Sequence, residues 1–235
     1  MRSQREYELG VGLVAEHDVP GAFDHLLRAI QLDPENGEAH NQLGQLFGER
    51  HDYVRAESEY RTALRDATEH PEQFHAGFAA EVHNNLGSLF GVQERWDDAI
   101  REFRVAANDL VYSTPYLAWT NLGWALHLKG DEHGALDALE HAAHLQPDAC
   151  VTNIKLGQIY VSLERFREAE STLTRVAEAS DATCNHNQDA WHLRGEARAR
   201  LGDRDAAGTD FERCVELGPD TDAGQACRRL LDAMH

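Results

Sequence analysis

The chain has 235 residues, enough to bury a sizeable core as one domain or as an elongated array, and 22 Lys+Arg against 41 Asp+Glu give it a formal charge of −19. That balance repels phosphate backbones and anionic headgroups, which argues against nucleic acid and against direct membrane binding by the folded chain. No run approaches the roughly 18 apolar residues of a membrane span, and the opening MRSQREYELG has neither the apolar segment nor the cleavage site of a secretion signal.

In chain order, the first regularity is a glycine that returns: Gly10, Gly44, Gly87, Gly123, Gly157 and Gly195, at spacings of 34, 43, 36, 34 and 38 residues. A leucine precedes the first five, and Arg194 takes that place in the sixth. Twelve residues after each glycine stands an alanine (Ala22, Ala56, Ala99, Ala135, Ala169, Ala207), and four further on a bulky apolar residue (Leu26, Tyr60, Phe103, Leu139, Leu173, Phe211). Pro34, Pro147 and Pro219 close the first, fourth and sixth units. The pattern resembles the tetratricopeptide repeat, in which small residues sit where two antiparallel helices approach most closely and bulky ones fill the grooves beside them. The expected fold is therefore all-α, a solenoid of six helix pairs in one domain. The repeats span about 3–36, 37–70, 80–113, 116–149, 150–183 and 188–221.

After Pro219, the segment DTDAGQACRRLLDAMH predicts a thirteenth helix over about 221–234. Asp220, Thr221 or Asp222 can cap it, and Ala223, Cys227, Leu230 and Leu231 would cover the last repeat, as a soluble solenoid requires. Two linkers exceed the minimum. DATEHPEQFHAGFA is expected to lengthen the helices on either side of Pro71, and EASDATCNHNQ is expected to be a loop.

The chemistry of an enzyme is missing from the sequence: there is no phosphate-cradling glycine loop, no HExxH and no serine-nucleophile elbow. The 14 histidines are scattered, and the nearest pair, His141 and His144, falls short of the three or four ligands of a closed metal site. No catalytic residue, metal or cofactor is expected, and the fold points to binding a segment of another protein.

Four cysteines stand in two neighbouring pairs. Cys150 opens the first helix of repeat five and Cys184 follows its second, at the same end of the hairpin; Cys214 lies on the last repeat and Cys227 on the helix that caps it. Both pairs fall within reach of the Cα separation a disulfide needs, under about 7 Å. Two disulfides in an oxidising compartment and four buried thiols acting as small apolar residues are both compatible with the sequence.

Residues of each first helix that face away from its partner line an inner groove. Repeats four and five offer an apolar strip there: Leu117, Thr120, Trp124, His127, Leu128, Val151, Ile154, Gln158 and Val161. Repeats two and three are polar, with Glu38, Asn41, Gln45, Glu81, Asn84 and Ser88. An apolar strip with a polar rim suits an amphipathic partner segment, with Trp124 as anchor. The alternative is that neighbouring helices cover these side chains. The positions at which carboxylate-gripping co-chaperones of this fold carry Lys or Arg hold Tyr7, Asn41, Asn84, Thr120 and Ile154 here, and none is basic.

From Asn84 to Leu126 the chain reads NNLGSLFGVQERWDDAIREFRVAANDLVYSTPYLAWTNLGWAL. The Asn-Asn-Leu-Gly opening, the turn Trp96-Asp97-Asp98-Ala99-Ile100 and the link Leu110-Val111-Tyr112-Ser113-Thr114-Pro115 into Asn121-Leu122-Gly123 resemble the type IV pilus pilotins, tetratricopeptide lipoproteins of the outer membrane. That resemblance implies a protein on the periplasmic face of the outer membrane that binds secretin subunits and assists assembly or localisation of their ring, and so serves pilus-dependent twitching motility. It also implies a signal peptide and a lipidated cysteine upstream of Met1, since the solenoid carries no anchor of its own. Pro115 either stiffens a non-helical crossover or stands as the first residue of the next helix, where proline is well tolerated. A cytosolic scaffold or adaptor with an unrelated protein ligand is the competing reading.

Overall fold

A computed structural model describes residues 2–234. Among them there are fourteen α-helices, one 3-10 turn and no strand. The described residues pack as two compact units, one reaching to Asn121 and one starting at Leu122.

The first unit holds α1 (Arg2–Ala15), α2 (Val19–Leu32), α3 (Gly37–Glu49), α4 (Tyr53–Glu69), α5 (Phe78–Val92), α6 (Trp96–Ala107) and the start of α7 (Pro115–Leu128). In each antiparallel pair the recurring glycine lies under the bulky residue sixteen positions later. A Cβ on Gly10 would meet Leu26 at 2.8 Å, and one on Gly44 or Gly87 would meet Tyr60 or Phe103 at 2.7 Å. A methyl there would overpack the contact at a cost of about 1–3 kcal/mol, so the repeat requires glycine. The alanines that follow, Ala22, Ala56 and Ala99, are fully buried where the backbones converge.

Each pair in this unit also carries a histidine–glutamate couple. His25, His40 and His83 set Nδ1 2.7, 2.6 and 2.6 Å from a carboxylate oxygen of Glu6, Glu59 and Glu102. The two members stand four residues before and fifteen after the repeat glycine, with the order swapped in the first repeat. As expected from Pro71, α4 is long, at 17 residues, and a 3-10 turn over Pro71–Gln73 follows it.

The second unit holds the rest of α7, then α8 (Glu132–Leu145), α9 (Cys150–Ser162), α10 (Phe166–Ala177), α11 (Ala182–Asn185), α12 (Gln188–Leu201), α13 (Arg204–Leu217) and α14 (Asp222–Asp232). The glycine rule continues, with Gly123 under Leu139, Gly157 under Leu173 and Gly195 under Phe211, at 2.7, 2.6 and 2.6 Å for an added Cβ.

Two expectations are corrected here. The linker read as a loop contains the single turn α11, whose first amide groups are met by Asp181: the Thr183 N–H donates to Oδ1 at 2.8 Å. On α14, capped by Thr221, Cys227 is fully buried and Leu231 packs on the core, but Leu230 stays exposed.

Helix α12 departs most from the repeat. Arg194 is 4% exposed and Asp210 on α13 is 0% exposed. They form a bidentate pair at 2.7 and 3.0 Å, Arg198 adds a third contact to Asp210 at 3.0 Å, and Glu170 accepts from Arg198 at 2.9 Å. The guanidinium of Arg194 also lies over the Trp191 ring, 4.7 Å from its centroid. A buried carboxylate thus holds an arginine where the other repeats place leucine.

Candidate functional site

The link at residues 108–114 is non-helical, and Pro115 stands as the first residue of α7, the second of the two readings of that proline. Its chain reversal is built on Asp109, whose Oδ1 accepts from the Val111 N–H at 2.8 Å. Tyr112 turns inward to 8% exposure and packs with Ala80, Ala106, Ala107, Ala118 and Trp119. Gly77 makes room for it. At φ 86° it adopts a left-handed conformation that L side chains rarely take, and a Cβ there would meet the Val111 carbonyl at 2.7 Å and the Tyr112 Cα at 2.8 Å. While the tyrosine plugs the core, Leu110 is fully exposed and Val111 is 59% exposed. The link is therefore a structural wedge that also presents two apolar side chains to solvent.

The polar inner face expected of repeats two and three is a mesh of amides and carboxylates within the first unit. Asn41 donates to Glu81 at 3.0 Å, Asn85 to Asn41 at 3.1 Å, and Asn121 to Asn84 at 3.0 Å. Burial, then the charges of Glu38, Glu81 and Glu8, push the Tyr7 phenol up to about 12. This face is acidic. It also contains a cleft of about 250 Å³ lined by Tyr53, Tyr60, Leu89 and Val92, which the apolar strip read from the sequence did not include. Its signal was available in Tyr53 and Val92 at the ends of adjacent helices, but the polar groove positions beside them masked it.

Of the nine residues expected to line an apolar groove, Leu117 and Thr120 belong to the first unit and the other seven to the second. Leu117 is exposed. Thr120 is buried to 3%, and its hydroxyl donates to the Tyr116 carbonyl at 2.7 Å, so it offers no open surface. In the second unit, Leu128 and Val151 are exposed, and Trp124, Ile154, Gln158 and Val161 are half-buried. His127 is tied back to Glu132 of α8, with Nδ1 2.9 Å from its carboxylate, and its ring lies 4.9 Å from that of Trp124.

A residue missing from the expected set joins the two helices. Lys155 of α9 places Nζ 3.7 Å from the centroid of the Trp124 ring, a cation–π contact. Burial pushes its ammonium down to about 8. Sequence reading passed over it because it stands between Ile154 and Leu156, two positions before the repeat glycine.

The cysteines are joined as Cys150–Cys184 and Cys214–Cys227, with Cα separations of 5.5 and 6.3 Å. Among the described residues no three His, Cys, Asp or Glu side chains gather as a metal site, and no helix is long and apolar enough to cross a membrane. His141 and His144 are both exposed.

Comparison with known proteins gives the geometry its context. Pseudomonas aeruginosa PilF is similar in structure, with a TM-score of 0.83 and 20% sequence identity over 97% of this chain and 97% of that one. PilW, a widely conserved type IV pilus biogenesis factor, is similar at a TM-score of 0.78 and 20% identity, over 95% and 97% of the two chains. YrrB, a tetratricopeptide protein with an unusual peptide-binding site, is similar at 0.64 and 19% identity, over 87% and 97%. No curated protein matches by sequence. Tetratricopeptide repeat families match residues 25–58, 43–110, 84–149 and 154–222, and those segments span most of the chain. The chain belongs to the tetratricopeptide repeat family.

Proposed function

We propose that this protein is a non-catalytic pilotin of the type IV pilus, which binds secretin subunits and assists their assembly and localisation at the outer membrane. The observation that carries the reading is the end-to-end correspondence with PilF, over 97% of both chains. The Tyr112–Pro115 link, which resembles that of the pilotins in sequence, is built as a buried wedge rather than as a loose connection. Two disulfides accord with an oxidising compartment such as the periplasm, and count against the competing cytosolic scaffold. The membrane tether belongs to the pilotin reading alone and would be supplied by lipid upstream of Met1.

Binding is assigned to the open face of the second unit, where Trp124, Leu128, Val151, Ile154, Gln158 and Val161 accompany one another on α7 and α9. Trp124 is half-buried, as an aromatic anchor at the centre of an interface would be. Titration of the purified protein with the soluble part of its organism's secretin tests this. Trp124→Ala should weaken binding by about 2 kcal/mol or more, the range of an interface hot spot, with the melting temperature little changed. A large loss of thermal stability would make Trp124 a core residue and remove the site.

A further inference from the structure

The chain has two lysines, and several arginines of the second unit are paired with carboxylates where Lys155 is not. Arg165 reaches Glu168, Arg194 and Arg198 reach Asp210, and Arg213 reaches Glu216. Lys155 lies half-buried on the Trp124 ring with no carboxylate in contact among the described residues, in a chain where acids outnumber bases by 41 to 22. On the same face, Leu128 and Val151 are 44% and 60% exposed. A methionine would fill this space without the cost of partly desolvating an ammonium. What the lysine adds is a compact positive charge, held by an indole and surrounded by apolar surface.

We propose that Trp124 and Lys155 form a carboxylate-selecting anchor for a peptide partner, which sets an aspartate or glutamate on the Lys155 ammonium and an adjacent large apolar side chain against Trp124, Leu128 and Val151. This deepens the binding role proposed above and rests on it. Charge complementarity identifies the occupant. The inner face of the first unit, with Glu38, Glu81 and the raised Tyr7, disfavours an acidic segment, whereas Lys155 presents an unneutralised cation. Its depressed pKa has burial as the sole cause, which is the condition expected of an ammonium with no anion beside it. A partner carboxylate would supply that anion in a partly dry setting, where a charge pair discriminates strongly between ligands. The apolar neighbours would supply the contact area.

The test is selection of a phage-displayed random peptide library on the wild-type protein. The enriched peptides should share an Asp or Glu within four residues of an aromatic or large aliphatic residue. They should bind Lys155→Met at least tenfold more weakly, with Lys155→Arg retaining most of the affinity. Enriched peptides without an acid, equal binding to Lys155→Met, or no enrichment would each overturn the proposal. A second measurement needs no variant. With the two lysines reductively ¹³C-methylated, the Lys155 titration midpoint should rise when an enriched peptide binds, and an unmoved midpoint would overturn the proposal equally. Failure of the secretin role would appear in assembly of the secretin ring instead, and would leave the outcome of these experiments readable.

Discussion

Arg194 lays its guanidinium across the Asp210 carboxylate, with Nη2 2.7 Å from Oδ1 and Nε 3.0 Å from Oδ2, and neither side chain meets solvent to any useful extent. The repeat pattern asks for leucine at position 194, so Arg194→Leu would look like a repair. It should instead destabilise the protein by about 3 kcal/mol, because Asp210 would stay buried with only Arg198 to neutralise it. Adding Asp210→Ala should recover much of the loss. Urea denaturation of the two single variants and the double variant measures this coupling, and additive effects would contradict the account.

The case of Arg194 shows where sequence reading stops. Gly87 and Phe103, or Gly195 and Phe211, were legible because one spacing recurs six times and each instance supports the others. Tyr112 was legible as part of a link that a helix pair does not need. Arg194 reads as a lost contact when only apolar positions are counted, since its partner lies sixteen residues away on another helix. The three histidine–glutamate couples did have a signal, their constant offsets from the repeat glycine, but the exchange of partners between His25 and His40 hides it. Lys155 could not be found from spacing at all. Its contact with Trp124 depends on how α9 packs beside α7, and no repeat offset encodes that.

The disulfides contribute stability by restricting the unfolded chain. Cys150–Cys184 closes a separation of 34 residues and Cys214–Cys227 one of 13. Loop-entropy arguments give about 4 and about 3 kcal/mol for loops of such lengths. Reduction should therefore lower the denaturation midpoint clearly, and Cys214→Ala with Cys227→Ala should lower it less than Cys150→Ala with Cys184→Ala. Mass spectrometry of the unreduced protein after alkylation should find no modified thiol. Four alkylated cysteines would contradict the pairing and favour a reducing compartment.

His40 gives the first unit a pH-dependent element. Burial works against its imidazolium, but the Glu59 carboxylate 2.6 Å from Nδ1, the Pro34 carbonyl 3.2 Å from Nε2 and the charge of Asp66 outweigh it, so its pKa is raised. A histidine held more basic when folded adds stability that is fully present below the ordinary value, about 6.5, and is lost as pH rises through the folded value. The stability difference between wild type and His40→Gln should accordingly be larger at pH 5 than at pH 8. A difference that stayed constant or grew with pH would mean that His40 is not charged in the folded state.

A role in assembling the secretin ring is tested most directly by one measurement: the yield of heat- and detergent-resistant secretin multimers in the source organism with this gene deleted. The pilotin reading predicts collapse of the multimer to monomer, restored by the full-length gene and not by a copy carrying Trp124→Ala. An undiminished multimer in the deletion strain would contradict it.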